Sequence, residues 1–199
     1  MTEPARPGEY ETLASETVHE GRIITLVKET VAMPGGGDSV REIVRHIGAV
    51  CVAAVDDEGR IVMVRQYRHP VRGYLWELPA GLRDADGEAP LATAKRELAE
   101  EAGLAAERWS LLANSYSTPG FCSEQILVYL AEGLSAVDRP EGFVVEHEEA
   151  DMTVERVPLA EAVQWVLDGR IRNSSAVIGV LAAAQVRATA PQLRPADAT

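Results

Sequence analysis

The chain has 199 residues, enough for one medium-sized domain with a buried core, and its 46% hydrophobic and 25% charged residues are ordinary for a globular protein. The formal net charge of −12 argues against non-specific binding to nucleic acid or to an anionic membrane. No apolar run is long enough to span a membrane, the N-terminus has no signal-peptide pattern and two cysteines are too few for a disulfide scaffold, so we expect a cytoplasmic protein.

The N-terminal part of the chain predicts a small β unit. Residues 1–15 are rich in proline and glutamate with little apolar pattern, so we expect a mobile N-terminus. Residues 16–47 contain two strand patterns separated by the glycine-rich turn 34–38. The antiparallel unit that they predict is too small to hold a core alone, and we expect it to pack on the main domain or to mediate a homodimer.

The main domain is predicted over residues 48–188, followed by a flexible tail at 189–199. Residues 49–55 form a continuous apolar run, which is typical of a strand covered on both faces, and the turn at 56–59 leads into a second strand that ends at Arg68. Further strands are predicted at 75–81, 109–116, 125–130 and 152–157, and helices at 90–102, 159–167 and 175–186.

The helix predicted at 90–102 carries charge in an unfavourable place. Pro90 just inside its start and Gly103 just past its end are typical of helix boundaries. Glu97, Glu100 and Glu101 share one face in the last turns, where the helix dipole disfavours negative charge. A divalent cation would turn this penalty into binding energy, because Mg²⁺ and Mn²⁺ prefer carboxylate oxygens. Taken alone, the helix leaves open a metal site or a solvated acidic face.

The sequence around this helix, from residue 81 to residue 104, resembles the signature of the Nudix hydrolases. That signature places a glycine, a glutamate, an arginine–glutamate pair, two further glutamates and a final glycine at fixed spacings. Six residues separate Gly81 from Glu88 where the general pattern has five, whereas the next gap of seven is kept. The extra residue falls in the loop before the helix. The matching residues are Gly81, Glu88, Arg96, Glu97, Leu98, Glu100, Glu101, Gly103 and Leu104.

Other segments are similar to the bacterial ADP-ribose pyrophosphatase branch of that family. Pro119 lies 16 residues after Gly103 in a Pro-Gly-Phe context, and the segments 66–68 and 78–81 are similar as well. The resemblance implies an α/β Nudix fold, in which a mixed β-sheet lies between helices and an N-terminal antiparallel β unit is added. It also implies a homodimer.

The activity implied by the resemblance is metal-dependent hydrolysis of ADP-ribose to AMP and ribose 5-phosphate, with two or three Mg²⁺ or Mn²⁺ ions. One alternative is hydrolysis of another nucleoside diphosphate sugar, such as GDP-mannose. A second is a Nudix sensor that binds ADP-ribose without cleaving it, or that regulates a partner; the intact set of signature carboxylates argues against it. The acidic balance of the chain also argues against an mRNA-decapping enzyme.

The resemblance further implies roles for individual residues. Metal ions would bind Glu97 and Glu101, with Glu100 close by and the backbone carbonyl of Ala80 as a further ligand. Arg96 would orient a neighbouring glutamate, and Glu88 would support either a metal or only the loop. The structural residues of the motif are Gly81, Glu88, Arg96 and Gly103.

Substrate contacts are implied outside the signature. Arg68 resembles an arginine that contacts the substrate's phosphates, although a surface ion pair at a strand end is the ordinary alternative. Arg41 resembles an arginine that reaches the adenosine end from a partner subunit, and a solvated strand residue would look the same. Pro119 and Gly120 resemble a substrate-binding turn, but could equally be an ordinary turn.

The catalytic base is expected on an acidic loop. Residues 138–151 show no clear period and are too long to be a simple connection. Hydrolysis needs a water molecule activated by a carboxylate, and the branch takes its base from a loop after the signature. The candidates are Glu149, then Glu148, with Glu146 in the same loop; Glu101 is the catalytic candidate on the helix.

Overall fold

The computed structural model describes residues 9–139 and 152–198. The strands are β1 (Thr12–Glu20), β2 (Ile24–Ala32), β3 (Asp38–His46), β4 (Ala49–Ala54), β5 (Arg60–Arg68), β6 (Gly73–Glu77), β7 (Ala80–Leu82), β8 (Leu104–Tyr116), β9 (Gln125–Ala136), β10 (Thr153–Pro158) and β11 (Arg194–Pro195). The helices are α1 (Pro90–Ala102), α2 (Leu159–Leu167) and α3 (Ser174–Thr189). Among the helices in these two ranges, none has the length and apolar character needed to cross a bilayer.

The chain divides into two compact units. The N-terminal unit contains the residues up to Gly48 together with Tyr116–Gln125, and the main unit contains Ala49–Ser115 together with the residues from Ile126 onwards. In the N-terminal unit, β1, β2 and β3 form an antiparallel sheet in that order. The loop after β8 is fixed to β3, because the Val44 N–H donates to the Phe121 carbonyl at 2.8 Å and the Ser123 N–H donates to the Val44 carbonyl at 2.9 Å.

The main unit contains two sheets. One has the strand order β11-β8-β9-β4-β7 and is mixed, since β4 runs parallel to β9 and antiparallel to β7. The other has the order β10-β5-β6, with antiparallel pairs. On β7, the mixed sheet carries Ala80, the metal-site candidate that lies on a strand, whereas β5 carries Arg68 and β6 carries its partner Glu77.

The core confirms the predicted layers. Every residue of β4 after Ala49 is buried, as its continuous apolar run predicted. Cys51 and Ala53 belong to a cluster that includes residues of α2 and α3, whereas Val50 and Val52 belong to a cluster that includes residues of α1. Because alternate residues of a strand point to opposite faces, the sheet lies between α1 on one side and α2 and α3 on the other. The predicted α/β architecture, with a mixed sheet between helices, is therefore confirmed.

The boundaries of α1 also agree with prediction, whereas two strands lie at least partly where no strand was predicted. The helix begins at Pro90 and is followed by Gly103 with φ +63°, a left-handed conformation that glycine adopts without steric cost. Part of β1 falls in the segment expected to be mobile, and β11 falls in the expected tail. All nine residues of β1 are exposed, so its place depends on hydrogen bonding to β2, which leaves little apolar signal in its own sequence.

Candidate active site

The signature glycine allows β7 and α1 to approach each other. Gly81 lies in β7 beside the α1 side chain of Glu97, and a Cβ atom at this position would overlap the Glu97 carboxyl group. Helix α1 is fixed against the sheet on its apolar side, where Ala94 and Leu98 are fully buried. Only glycine at position 81 therefore leaves room for this carboxyl group between helix and strand.

Arg96 joins three of the signature glutamates. Its Nη1 donates to Glu97 Oε1 at 2.8 Å and to Glu100 Oε2 at 2.9 Å. Its Nη2 lies 3.3 Å from Glu88 Oε2, which also accepts a hydrogen bond from Thr93 at 2.9 Å. The hydrogen bond from Arg96 is the main cause of the lowered pKa of Glu88. Despite the extra residue in the preceding loop, Glu88 thus reaches the helix.

The Glu97 carboxyl group carries its charge at a cost. Its side chain is only 13% exposed. Its pKa is raised to about 7, chiefly by burial and in part by the neighbouring Glu100 charge, although Arg96 opposes the rise. A poorly hydrated carboxylate of this kind gains more from a nearby cation than an exposed one does.

Glu101 connects the end of α1 to β7. The residue is 7% exposed, and its Oε2 accepts a hydrogen bond from the Ala80 N–H at 2.9 Å. Ala80 pairs with Cys51 of β4 in the sheet. The pKa of the Cys51 thiol is raised to about 12, chiefly by burial, and the charges of Glu77 and Glu101 contribute to this rise.

The strands β5 and β6 add a pair that the sequence analysis missed. Arg68 donates through Nε to Glu77 Oε1 at 3.0 Å and through Nη2 to Glu77 Oε2 at 2.7 Å. Glu77 is 2% exposed, so the partner of Arg68 is a buried carboxylate and the ordinary surface ion pair does not describe it. The available signal was a lone glutamate in the apolar stretch 75–80, which is unusual at a buried strand position.

The carboxylates of Glu97, Glu100 and Glu101 accept hydrogen bonds from other groups of the protein. Among residues 9–139 and 152–198, no three His, Cys, Asp or Glu side chains converge closely enough to hold a metal ion. Arg96 donates to Glu97 and Glu100, and the Ala80 N–H donates to Glu101. A metal ion would therefore have to compete with Arg96 for Glu97.

The remaining substrate-contact candidates lie in the N-terminal unit. Arg41, Pro119 and Gly120 line a cavity of about 370 Å³ whose wall also includes Tyr116 and Phe121. The Arg41 guanidinium donates to Ser39 Oγ and to the carbonyl of Val40. The base candidates Glu146, Glu148 and Glu149 lie outside the described residues.

Comparison with known proteins agrees with the signature. The NUDIX domain profile matches residues 44–177. The chain is 52% identical over 189 residues to an ADP-ribose pyrophosphatase of Mycobacterium tuberculosis, which covers 95% of this chain and 90% of the relative. It is 41% identical over 172 residues to a methanol dehydrogenase activator of Bacillus methanolicus, covering 86% of this chain and 91% of that protein.

A solved structure shows the same fold. The crystal structure of an ADP compounds hydrolase superposes with a TM-score of 0.77 and covers 93% of this chain and 98% of its own, at 22% sequence identity. Together with the profile match and the relative that is 52% identical, this likeness agrees with what the signature helix predicted. The chain belongs to the Nudix hydrolase family, in the branch that contains the curated ADP-ribose pyrophosphatases.

Proposed function

We propose that this protein hydrolyses the diphosphate of ADP-ribose and releases AMP and ribose 5-phosphate. The observation that carries the proposal is the contact of α1 with β7, where Glu97 lies against Gly81 and Glu101 bonds to Ala80. Its second support is the 52% identity to an ADP-ribose pyrophosphatase over 95% of the chain. We further propose that the protein is cytoplasmic and that neither nucleic acid nor a membrane is among its partners.

The donor set fits a hard divalent cation. Glu97 and Glu101 offer carboxylate oxygens that are mostly buried, and Glu97 has a raised pKa because burial disfavours its charge. We propose that these two residues and the Ala80 carbonyl hold two or three Mg²⁺ or Mn²⁺ ions, with Glu100 nearby. When bound, the ions would neutralise the diphosphate and polarise its P–O bonds.

The chain's own residues would then supply the proton transfer and hold the substrate. Glu149, or Glu148 beside it, would take a proton from water, whose oxygen forms a bond to one phosphorus while the bridging P–O bond breaks. Each product leaves with one phosphate. Arg68 would contact the diphosphate, and in the N-terminal unit Arg41, Pro119 and Gly120 remain our candidates for substrate contacts.

The N-terminal unit is our candidate for the dimerisation element. Strand β1 lies at the edge of its sheet, and the side chains of Leu13 and Val18 are 56% and 55% exposed. An exposed edge strand with apolar side chains is suited to pairing with another chain. Light scattering behind a sizing column would test this: we expect twice the chain mass, and replacing Leu13 and Val18 by Glu should yield the monomer. A monomeric wild type would refute the dimer.

The function is tested by product analysis with a substrate panel. Purified protein with Mg²⁺ is mixed with ADP-ribose or GDP-mannose across neutral to alkaline pH, and nucleotides are resolved by ion-exchange chromatography. We expect AMP from ADP-ribose as the preferred reaction. Faster turnover of GDP-mannose would favour the alternative hydrolase, and ADP-ribose binding without AMP release would favour a sensor.

A further inference from the structure

Glu77 is a buried carboxylate that the proposed reaction does not use. It lies near the end of β6 and is 2% exposed, whereas the Arg68 side chain that it binds is 43% exposed. Gln66, itself only 6% exposed, adds a longer contact from Nε2 to Glu77 Oε2 at 3.5 Å. The pair therefore has a carboxylate below the surface and a guanidinium group that reaches solvent.

Stability alone gives little reason for such a pair. Removing a carboxylate from water is costly, and well-packed apolar residues of similar size often replace a buried ion pair without loss of stability. What this pair provides is orientation. Two parallel hydrogen bonds from Nε and Nη2 fix the plane of the Arg68 guanidinium, because both groups are planar. The edge formed by Nη1 and Nη2 is not the one that Glu77 binds, and we expect a phosphate to contact Arg68 there.

The pair also lies beside the carboxylates of the candidate site. Glu77 precedes Ala80 by three residues, and Ala80 is the residue whose N–H bonds to Glu101. The charges of both Glu77 and Glu101 act on the buried Cys51 thiol. The Arg68–Glu77 pair and Glu101 therefore lie in the same region of the main unit.

We propose that Glu77 is a positioning residue, which holds the Nε–Nη2 edge of Arg68 so that its other edge meets the substrate's diphosphate. The proposal rests on the proposed function, since it assumes that Arg68 contacts this group. Glu77 itself touches no reacting atom. Its effect on catalysis passes entirely through Arg68, so substitutions of the two residues should not be additive.

A double-mutant cycle tests this non-additivity. We would measure kcat and KM for ADP-ribose with Mg²⁺ in wild type, Glu77→Gln, Arg68→Ala and the double variant. We expect Glu77→Gln to lower kcat/KM by about ten- to a hundredfold, chiefly through KM, because a misplaced guanidinium binds the phosphates poorly. The double variant should be no worse than Arg68→Ala alone. Additive losses, or a wild-type KM in Glu77→Gln, would overturn the proposal.

Two further variants separate positioning from folding. Glu77→Met removes the buried charge, and we expect it to stay folded while losing kcat/KM as Glu77→Gln does. Asp56→Asn is the matched control, because Asp56 is a buried carboxylate of the same unit that accepts from Arg60 Nε at 2.9 Å. Its thermal midpoint should fall while kcat/KM stays at the wild-type value. Glu77→Met with unchanged kcat/KM would overturn the proposal.

The proposed function and the positioning role fail in different ways. A wild type that releases no AMP refutes the function, and the role of Glu77 is then measured by calorimetric binding of ADP-ribose in Mg²⁺. Glu77→Gln must weaken that binding, and by no more than Arg68→Ala does. Wild-type binding in Glu77→Gln, a greater loss than in Arg68→Ala, or a wild type that does not bind ADP-ribose would overturn the positioning role as well.

Discussion

The two longest helices of the described chain follow opposite rules at their ends. Helix α3 begins after Asn173, whose side chain accepts a hydrogen bond from the Ala176 N–H at 3.0 Å, and it carries Arg187 in its last turn. Within the described chain, no side chain caps the start of α1, and its last turns hold Glu100 and Glu101 where α3 has a base. Of these two helices, α3 alone has a side-chain cap at its start and a favourable charge in its last turn.

The difference teaches where to look for function. Both helices pack on the same sheet, so their packing does not explain why α1 lacks the favourable charges that α3 has at its end. The carboxylates of α1 are instead held by Arg96 and Ala80 beside the signature glycine. Substitutions on α1 should therefore change activity more than stability, and substitutions on α3 should do the reverse.

The largest effect is expected from Glu101→Gln. The amide oxygen still accepts from the Ala80 N–H, so the fold is kept, but the charge that would bind metal is gone. We expect ADP-ribose turnover to fall by more than about a hundredfold. A hundredfold loss is the upper end for a residue that only orients a metal ligand, and a residue that binds the metal itself should cost more. Glu107→Gln, at a side chain 78% exposed, is the control and should keep full turnover. Near-normal turnover in Glu101→Gln would remove this residue from the metal site.

The next effect concerns how the free energy of unfolding depends on pH in wild type and in Glu97→Gln, measured with a metal chelator present. The pKa of Glu97 is raised from 4.5 to about 7 by burial, so between these pH values the folded protein binds more protons than the unfolded chain. The free energy of unfolding must therefore fall as pH rises through this window, by up to roughly 3 kcal/mol.

Glu97→Gln should lack that fall and should be more stable than wild type at pH 7.5 when metal is absent. Urea unfolding at pH 5 and pH 7.5 measures the difference. Parallel stability profiles for the two proteins would show that burial does not disfavour the Glu97 charge, and the physical reason for metal binding at this residue would be lost.

A smaller loss is expected from Gly81→Ala. The new Cβ would overlap the Glu97 carboxyl group, which is the flexible end of a side chain and can move aside. We expect the protein to fold and turnover to fall by about ten- to a hundredfold, because Glu97 is displaced. At Gly35, a Cβ would meet no atom of the described chain within 4 Å, so Gly35→Ala is the matched control. Equal turnover in both variants would argue against a required contact between β7 and Glu97.

The smallest effect is expected on α3. Asn173→Ala removes the cap on the Ala176 N–H and should lower the free energy of unfolding by about 1 kcal/mol. Turnover per folded molecule should not change. If this variant lost activity while keeping its thermal midpoint, the contrast between a stabilising α3 and a functional α1 would be wrong.

Local signals predicted what is determined locally. Pro90 and Gly103 marked both ends of α1, and the apolar run 49–55 predicted a strand buried on both faces. These features depend on backbone propensity and on burial along one segment, so a single sequence contains them. The same holds for the Nudix signature: the family that it predicted is confirmed by the NUDIX domain match, whereas the roles of its residues stay predictions.

Contacts between segments could not be predicted in this way. The bond from Arg68 to Glu77 depends on the register of β5 with β6, in which Val64 lies opposite Glu77. The contact of Glu88 with Arg96 depends on the path of a loop whose length departs from the general pattern. Strand β1 has nine exposed residues and is specified by its pairing with β2, which its own pattern does not reveal.

The central claim is that the carboxylates of α1 bind divalent cations rather than forming a solvated face. Its most direct test is a titration of the protein with Mn²⁺, in which free ion is followed by electron paramagnetic resonance. We predict that wild type binds Mn²⁺ saturably and that a Glu97→Gln, Glu101→Gln double variant, still folded by circular dichroism, loses this binding. Equal Mn²⁺ binding by the two proteins would contradict the claim.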